Sequence, residues 1–244
     1  MISKKSISSF AKRFQNNKLV RVLIGPIWRR YYHIERKKQI KNFLHNGVTL
    51  LKEINSLCSR EGIKIWLEFG TLLGAYREND FIKHDYDIDM GAFFKDKEKL
   101  EECLLSNGFE LLREFRIIED GKMVGAEQTY SYKAVMIDIF YFHILGEDKI
   151  KLNSFTPIFD DKKYEGRAEI RERIMPYSGL KKILFKGIEC YIPKNTSLYL
   201  SKYYGENFMI PDPNYDYRKV KSNIKYIDRE VQTAEYEVRK KLYI

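Results

Sequence analysis

Gly70-Thr71-Leu72-Leu73-Gly74, followed by Asp85-Tyr86-Asp87-Ile88-Asp89, is the stretch that decides the fold. In an extended strand successive side chains alternate between faces, so Asp85, Asp87 and Asp89 project to one side while Tyr86, Ile88 and Met90 project to the other. Three like charges on one face repel. A divalent cation relieves that repulsion, because hard cations take oxygen ligands, and the triplet reads first as a metal site. Upstream, Gly70-Thr71 joins a strand to a helix, where backbone N–H groups can face an anion.

Ile63 to Phe69 alternates with β-branched and aromatic residues and reads as a strand, and Leu72 to Arg77 as a short helix. Ile88 to Phe94 is predicted as the carboxylate strand, and Lys95 to Asn107 as a helix closed by Gly108. Phe109 to Glu119 and Ala126 to Lys133 flank Gly121 as a hairpin or meander. Ala134 to Phe142 is an almost continuous apolar run, the pattern of a strand buried on both faces. Only Asp138 interrupts it, and a carboxylate there needs a metal or a positive partner such as a buried Arg.

Before this region, Asn42 to Cys58 carries apolar residues at helical spacing. After it, residues 143 to 180 look less regular, while Leu198 to Tyr204 and Asn223 to Leu242 read as C-terminal helices. The domains follow as a basic N-terminal helical arm (1–45), a catalytic domain (46–213) and a C-terminal helix (214–244).

The chain has 244 residues, of which 44% are hydrophobic and 14% aromatic, enough for a well-buried core. Its three cysteines, Cys58, Cys103 and Cys190, lack any C-x-x-C spacing, which argues against a disulfide framework or zinc knuckle and fits a reducing cytoplasm. The net charge of +10 is concentrated in residues 1–41, which hold twelve Lys or Arg against Glu35 alone. The remainder is near neutral, so the body shows no sign of a nucleic-acid groove. The apolar run Leu19 to Trp28 contains Arg21 and Gly25-Pro26 and is too short to span a bilayer. Two readings stay open for the arm: contact with an anionic membrane on the inner face of the cell, or a helix packed on its own domain or on a second copy in an oligomer.

The order G-[ST], then D-x-D, then one Asp on a later strand resembles the nucleotidyltransferase fold. Trp66 to Arg77 and Phe81 to Gly91 resemble the LicD and fukutin family more specifically. Val135 to Tyr141, Gly187 to Asn195, Leu200 to Glu206 and Pro211 extend the likeness, which covers about residues 60 to 213. It implies an α+β fold, a nucleotidyltransferase-like mixed sheet flanked by helices. It also implies transfer of phosphocholine or a polyol phosphate from a CDP-alcohol donor to a glycan or glycolipid acceptor, as in capsule or lipopolysaccharide decoration.

By the same resemblance Asp87 and Asp89 hold Mg²⁺ or Mn²⁺ and Asp138 is the third carboxylate, while Asp85 is a further candidate ligand, a residue that supports the ligands, or a contact to the acceptor. Gly70 and Thr71 would orient the diphosphate. Arg77, Lys83 and His84 either touch phosphate or make local ion pairs. Arg167, Arg171 and Arg173 either face an anionic substrate or line a solvated helix face. Two rival functions remain at this level: attachment of a nucleotide to a small molecule or protein with the same acids, and a non-catalytic scaffold.

Overall fold

The computed structural model describes residues 18–160, 163–212, 215, 225–226 and 234–238, with side chains for 30, 31, 33–156, 168–212 and 215. Helix α1 (Lys18–Arg60) runs 43 residues, about 65 Å at 1.5 Å per residue, and passes without interruption through Pro26 and across residue 45. Its second half buries Phe43, Leu50, Leu51, Ile54 and Leu57. Those spacings of three, four and seven form one apolar stripe that packs on the sheet.

The remaining elements are β1 (Ile65–Leu67), α2 (Phe69–Arg77), β2 (Asp87–Phe93), a 3₁₀ turn (Phe94–Asp96), α3 (Lys97–Ser106), β3 (Glu110–Glu119), β4 (Lys122–Tyr132) and β5 (Val135–Leu145). Then follow β6 (Lys149–Asp160), β7 (Lys163–Pro176), β8 (Leu180–Phe185), β9 (Ile188–Pro193), α4 (Thr196–Tyr204), β10 (Lys225–Tyr226) and β11 (Ala234–Val238). The expected elements from Ile63 to Phe142 are all present. Leu198 to Tyr204 is likewise helical, within α4.

Two expectations are corrected. Residues 143 to 180 are not irregular: β6 and β7 form a long antiparallel hairpin. Its charged residues hide the apolar alternation, because one side of β7 carries arginines. Asn223 to Leu242 is not read as helix where it is described. Lys225–Tyr226 pairs with β7, and Ala234–Val238 pairs with both β3 and β7. Ala-Glu-Tyr-Glu-Val alternates with period two, and the open strand edges supply the hydrogen-bond partners. The rest of 214–244, like the first part of the arm, lies outside the described residues.

The sheet is mixed. β2 and β5 are parallel, and the other pairings are antiparallel. At Phe142, β5 pairs with Phe93 of β2 on one side and Leu152 of β6 on the other. β4 takes up residues 135–140 of β5 and β6 takes up 142–145, so they share one edge. With β3, β11 and β7 the strands close into a ring, β5-β4-β3-β11-β7-β6-β5. The face of β2 and β5 that carries Ile88, Met90, Ile137 and Ile139 is fully buried in the core that includes the α1 stripe. The opposite face opens into the ring. Among the described residues no helix is long and apolar enough to cross a membrane.

Candidate active site

A cavity of about 420 Å³ opens on that second face. Strand register places its side chains. Asp89 pairs with Asp138, Asp138 with Thr129 and Thr129 with Arg113. One step along, Phe140 pairs with Glu127 and Glu127 with Phe115. Partners across a sheet share a face, so four neighbouring strands deliver these groups, with Asp87, to one side. Arg113 reaches it through a β-bulge: β3 advances two residues from Leu111 to Arg113 while β4 advances one from Tyr130 to Thr129.

The turn between β1 and α2 holds Asp89 in place. Gly70 donates its N–H to Asp89 Oδ2 at 3.1 Å, and the Asp89 N–H donates to Thr71 Oγ1 at 2.9 Å. Both groups expected to face a diphosphate are thus engaged with the carboxylate residue itself. A Cβ at position 70 would lie 3.3 Å from Asp85 Oδ2 and from Asp89 Oδ2. Phe69, at φ +40, adopts a left-handed conformation costly for a bulky residue. Its ring packs edge-on against Phe140 and Tyr203, at 4.5 and 4.7 Å, which holds the turn.

Electrostatics mark the same place. Burial, then repulsion from Asp138 and Asp85, pushes Asp87 up to about 7, with Arg36 opposing. Burial and the neighbouring acids hold Asp89 well above the usual carboxylate range. Burial raises Asp85 to about 6, against His84 and Arg36. Arg36 itself comes from α1, its guanidinium 3.4 Å from the Tyr86 ring centroid.

Asp138 is half-buried and has both a hydroxyl and a guanidinium beside it. Thr129 donates its hydroxyl to Asp138 Oδ1 at 2.5 Å, Arg113 Nη2 donates to Thr129 Oγ1 at 2.7 Å, and Arg113 Nη2 lies 3.7 Å from Asp138 Oδ1. Glu127, 3.8 Å from the same guanidinium, is pushed up to about 8 by burial, with Arg113 opposing. The sequence reading missed Arg113, Thr129 and Glu127. For Glu127 and Thr129 a signal was present in the alternation Glu127-Gln128-Thr129-Tyr130, polar groups on both sides of a strand, whereas Arg113 gave none.

The other candidates separate. Arg77 pairs with Glu78 and approaches the Phe208 carbonyl at 3.4 Å, outside the cavity lining. Lys83 and His84 are exposed and outside it too. Arg171 and Arg173 are not on a solvated helix face: they sit on β7, buried, and line the cavity. The Arg167 side chain lies outside the described residues.

Among the described residues no set of three or more His, Cys, Asp or Glu is close enough to hold a metal ion unaided. Asp87 and Asp89 still suit Mg²⁺, which commonly takes one or two carboxylates and completes its shell with water and substrate phosphates. Their raised proton affinity is that of acids awaiting a countercharge.

The family described as LicD/FKTN/FKRP, nucleotidyltransferase domain, matches residues 62–195, and the chain belongs to it. It is 32% identical over 176 residues to the uncharacterized protein RP689 of Rickettsia prowazekii (strain Madrid E), covering 72% of this chain and 58% of that one. It is 26% identical over 185 residues to the ribitol-5-phosphate transferase FKTN of Macaca fascicularis, covering 75% and 37%. The chain therefore spans little more than half of the first relative and about a third of the second. A solved lincosamide antibiotic adenylyltransferase, LnuA with bound lincomycin, superposes with a TM-score of 0.39 at 13% identity, covering 65% of this chain and 90% of that one.

Proposed function

We propose that the chain moves a phosphorylated alcohol from a CDP-activated donor to a sugar hydroxyl of a glycan or glycolipid, with Mg²⁺ or Mn²⁺ held by Asp87 and Asp89. The observation that carries this reading is the gathering of Asp87, Asp89 and Asp138 from two parallel strands into one cavity that also holds three arginines. The FKTN relatives are named ribitol-5-phosphate transferases, which supports a polyol phosphate as cargo.

In the proposed step the acceptor hydroxyl oxygen bonds to the β-phosphorus, and the bond from that phosphorus to CMP breaks. The bound cation supplies charge neutralisation at the phosphate oxygens. Asp138 accepts the hydroxyl proton. Thr129 and Arg113 both engage its Oδ1, and no hydrogen bond among the described residues occupies Oδ2. Gly70 and Thr71 serve by fixing Asp89.

The test is incubation with CDP-ribitol, CDP-glycerol or CDP-choline, a glycan acceptor and Mg²⁺ or Mn²⁺. Release of CMP with phosphoalcohol on the acceptor is expected. A nucleotide on the acceptor would instead establish nucleotidyl transfer. Exposed Arg30, Lys37, Lys38 and Lys41 on α1 support a further part of the proposal, peripheral contact with an anionic membrane.

A further inference from the structure

The transfer reaction uses the carboxylates and leaves unexplained the arginines on β7, which pairs with neither β2 nor β5. Arg171 is 9% exposed and Arg173 7%. They alternate along the strand and so share a side. Ser154, register partner of Arg171, and Thr156, two residues along β6, fall on the same side. All four line the cavity.

Taking two guanidinium groups out of water is costly, and the cost falls when an anion meets them. Their roles differ. Arg173 places its guanidinium 4.9 Å from the Tyr203 ring and thereby ties β7 to α4. Arg171 lies opposite Ser154 in the β6–β7 register. A quaternary ammonium group would be repelled here, whereas phosphate or carboxylate oxygens match the fork of an arginine.

We infer that Arg171 and Arg173, with the Ser154 and Thr156 hydroxyls, form an anion subsite for a phosphate or carboxylate of the substrates, separate from the Asp87/Asp89 pair. The transfer reading supplies only the identity of that substrate; the site itself stands on the geometry. The anion belongs either to the donor or to an acidic acceptor.

Inorganic phosphate and pyrophosphate are the probes, titrated calorimetrically into the full chain with EDTA present, so that metal-bridged binding is removed. The wild type should bind them, Arg171→Gln should weaken binding at least about tenfold, and Arg171→Lys should recover part of it. A thermal melt checks folding, and if Arg171→Gln does not fold, a severalfold weakening in Arg171→Lys decides. In the transfer assay, a rise in donor KM in Arg171→Gln assigns the anion to the donor, and a rise confined to acidic acceptors assigns it to the acceptor. Arg171-dependent phosphate binding without CMP release from any donor keeps the subsite and discards the transfer reading. Unchanged phosphate affinity in folded Arg171→Gln, or no anion binding by the wild type, overturns the inference even where CMP release is normal.

Discussion

Asp89 and Asp138 are direct register partners on adjacent parallel strands, so two acids separated by 48 intervening residues face the same cavity. Their proximity is set by backbone pairing, not by side-chain reach. It imposes repulsion on the folded state, offset in part by Arg113 beside Asp138, that a bound cation or a proton would relieve further.

Asp89→Asn should therefore raise stability while removing activity. The amide keeps the shape, still accepts from the Gly70 N–H, and removes one of the mutually repelling charges. Without added metal at pH 7, the melting temperature should rise by about 2–4 °C. CMP release should fall at least about a hundredfold. Normal transfer by this variant would overturn the proposal that Asp89 holds a metal.

Glu68, whose N–H donates to the Asp89 carbonyl at 3.0 Å, gives a pH prediction of its own. It is fully buried, accepting from Trp66 Nε1 at 2.8 Å and from the Tyr199 hydroxyl at 3.0 Å, and burial raises it to about 7. The folded protein then binds a proton that the unfolded chain, near 4.5, has released. Its stabilising contribution is present below the unfolded value and is lost as pH rises through about 7, a difference on the order of a few kcal/mol. Urea melts between pH 4.5 and 7.5 should show this decline, which Asp85, Asp87 and Glu127 share, and Glu68→Gln should make it measurably shallower without abolishing it.

Thr129→Val separates positioning from binding. It is nearly isosteric and deletes the hydroxyl between Arg113 and Asp138. The expected result is a fall in kcat of about tenfold with little change in donor KM. Ser at this position should restore most of kcat. An equal loss in the Ser variant would mean that packing, not the hydroxyl, matters.

Gly91→Ala should damage the fold, since a Cβ there would overlap the Trp66 indole, itself fully buried. Overpacking of this kind typically costs about 1–3 kcal/mol. Displacing the indole also disturbs its bond to Glu68. Chemical denaturation should show a lower midpoint with unchanged slope.

The half of the fold around β2 and β5 was legible because its strands obey one-sided or two-sided apolar rules, as Ile137-Asp138-Ile139 does. Asp87, Asp89 and Asp138 stood out as charges where those rules forbid them. The ring was not legible. On β7, Arg171 and Arg173 occupy positions that face inward, so inward no longer meant apolar and the period-two signal vanished. Arg113 was hidden differently: the bulge at Leu112 shifts the side assignment by one residue, and only the pairing partner reveals it. Ala234–Val238 was misread because its strand conformation depends on edges made by residues far away in sequence.

The closure of the ring by β11 bears on when the protein becomes competent. Ala234 pairs with Ile117 and with Ala168, contacts of long sequence separation that form slowly because a large loop must first be ordered. On the ribosome, the segment Asp87 to Asp138 emerges well before residues 234–238 do. Translation has to pass Val238 before the chamber is enclosed, so a stalled or clipped chain can carry every acid and still lack a closed chamber.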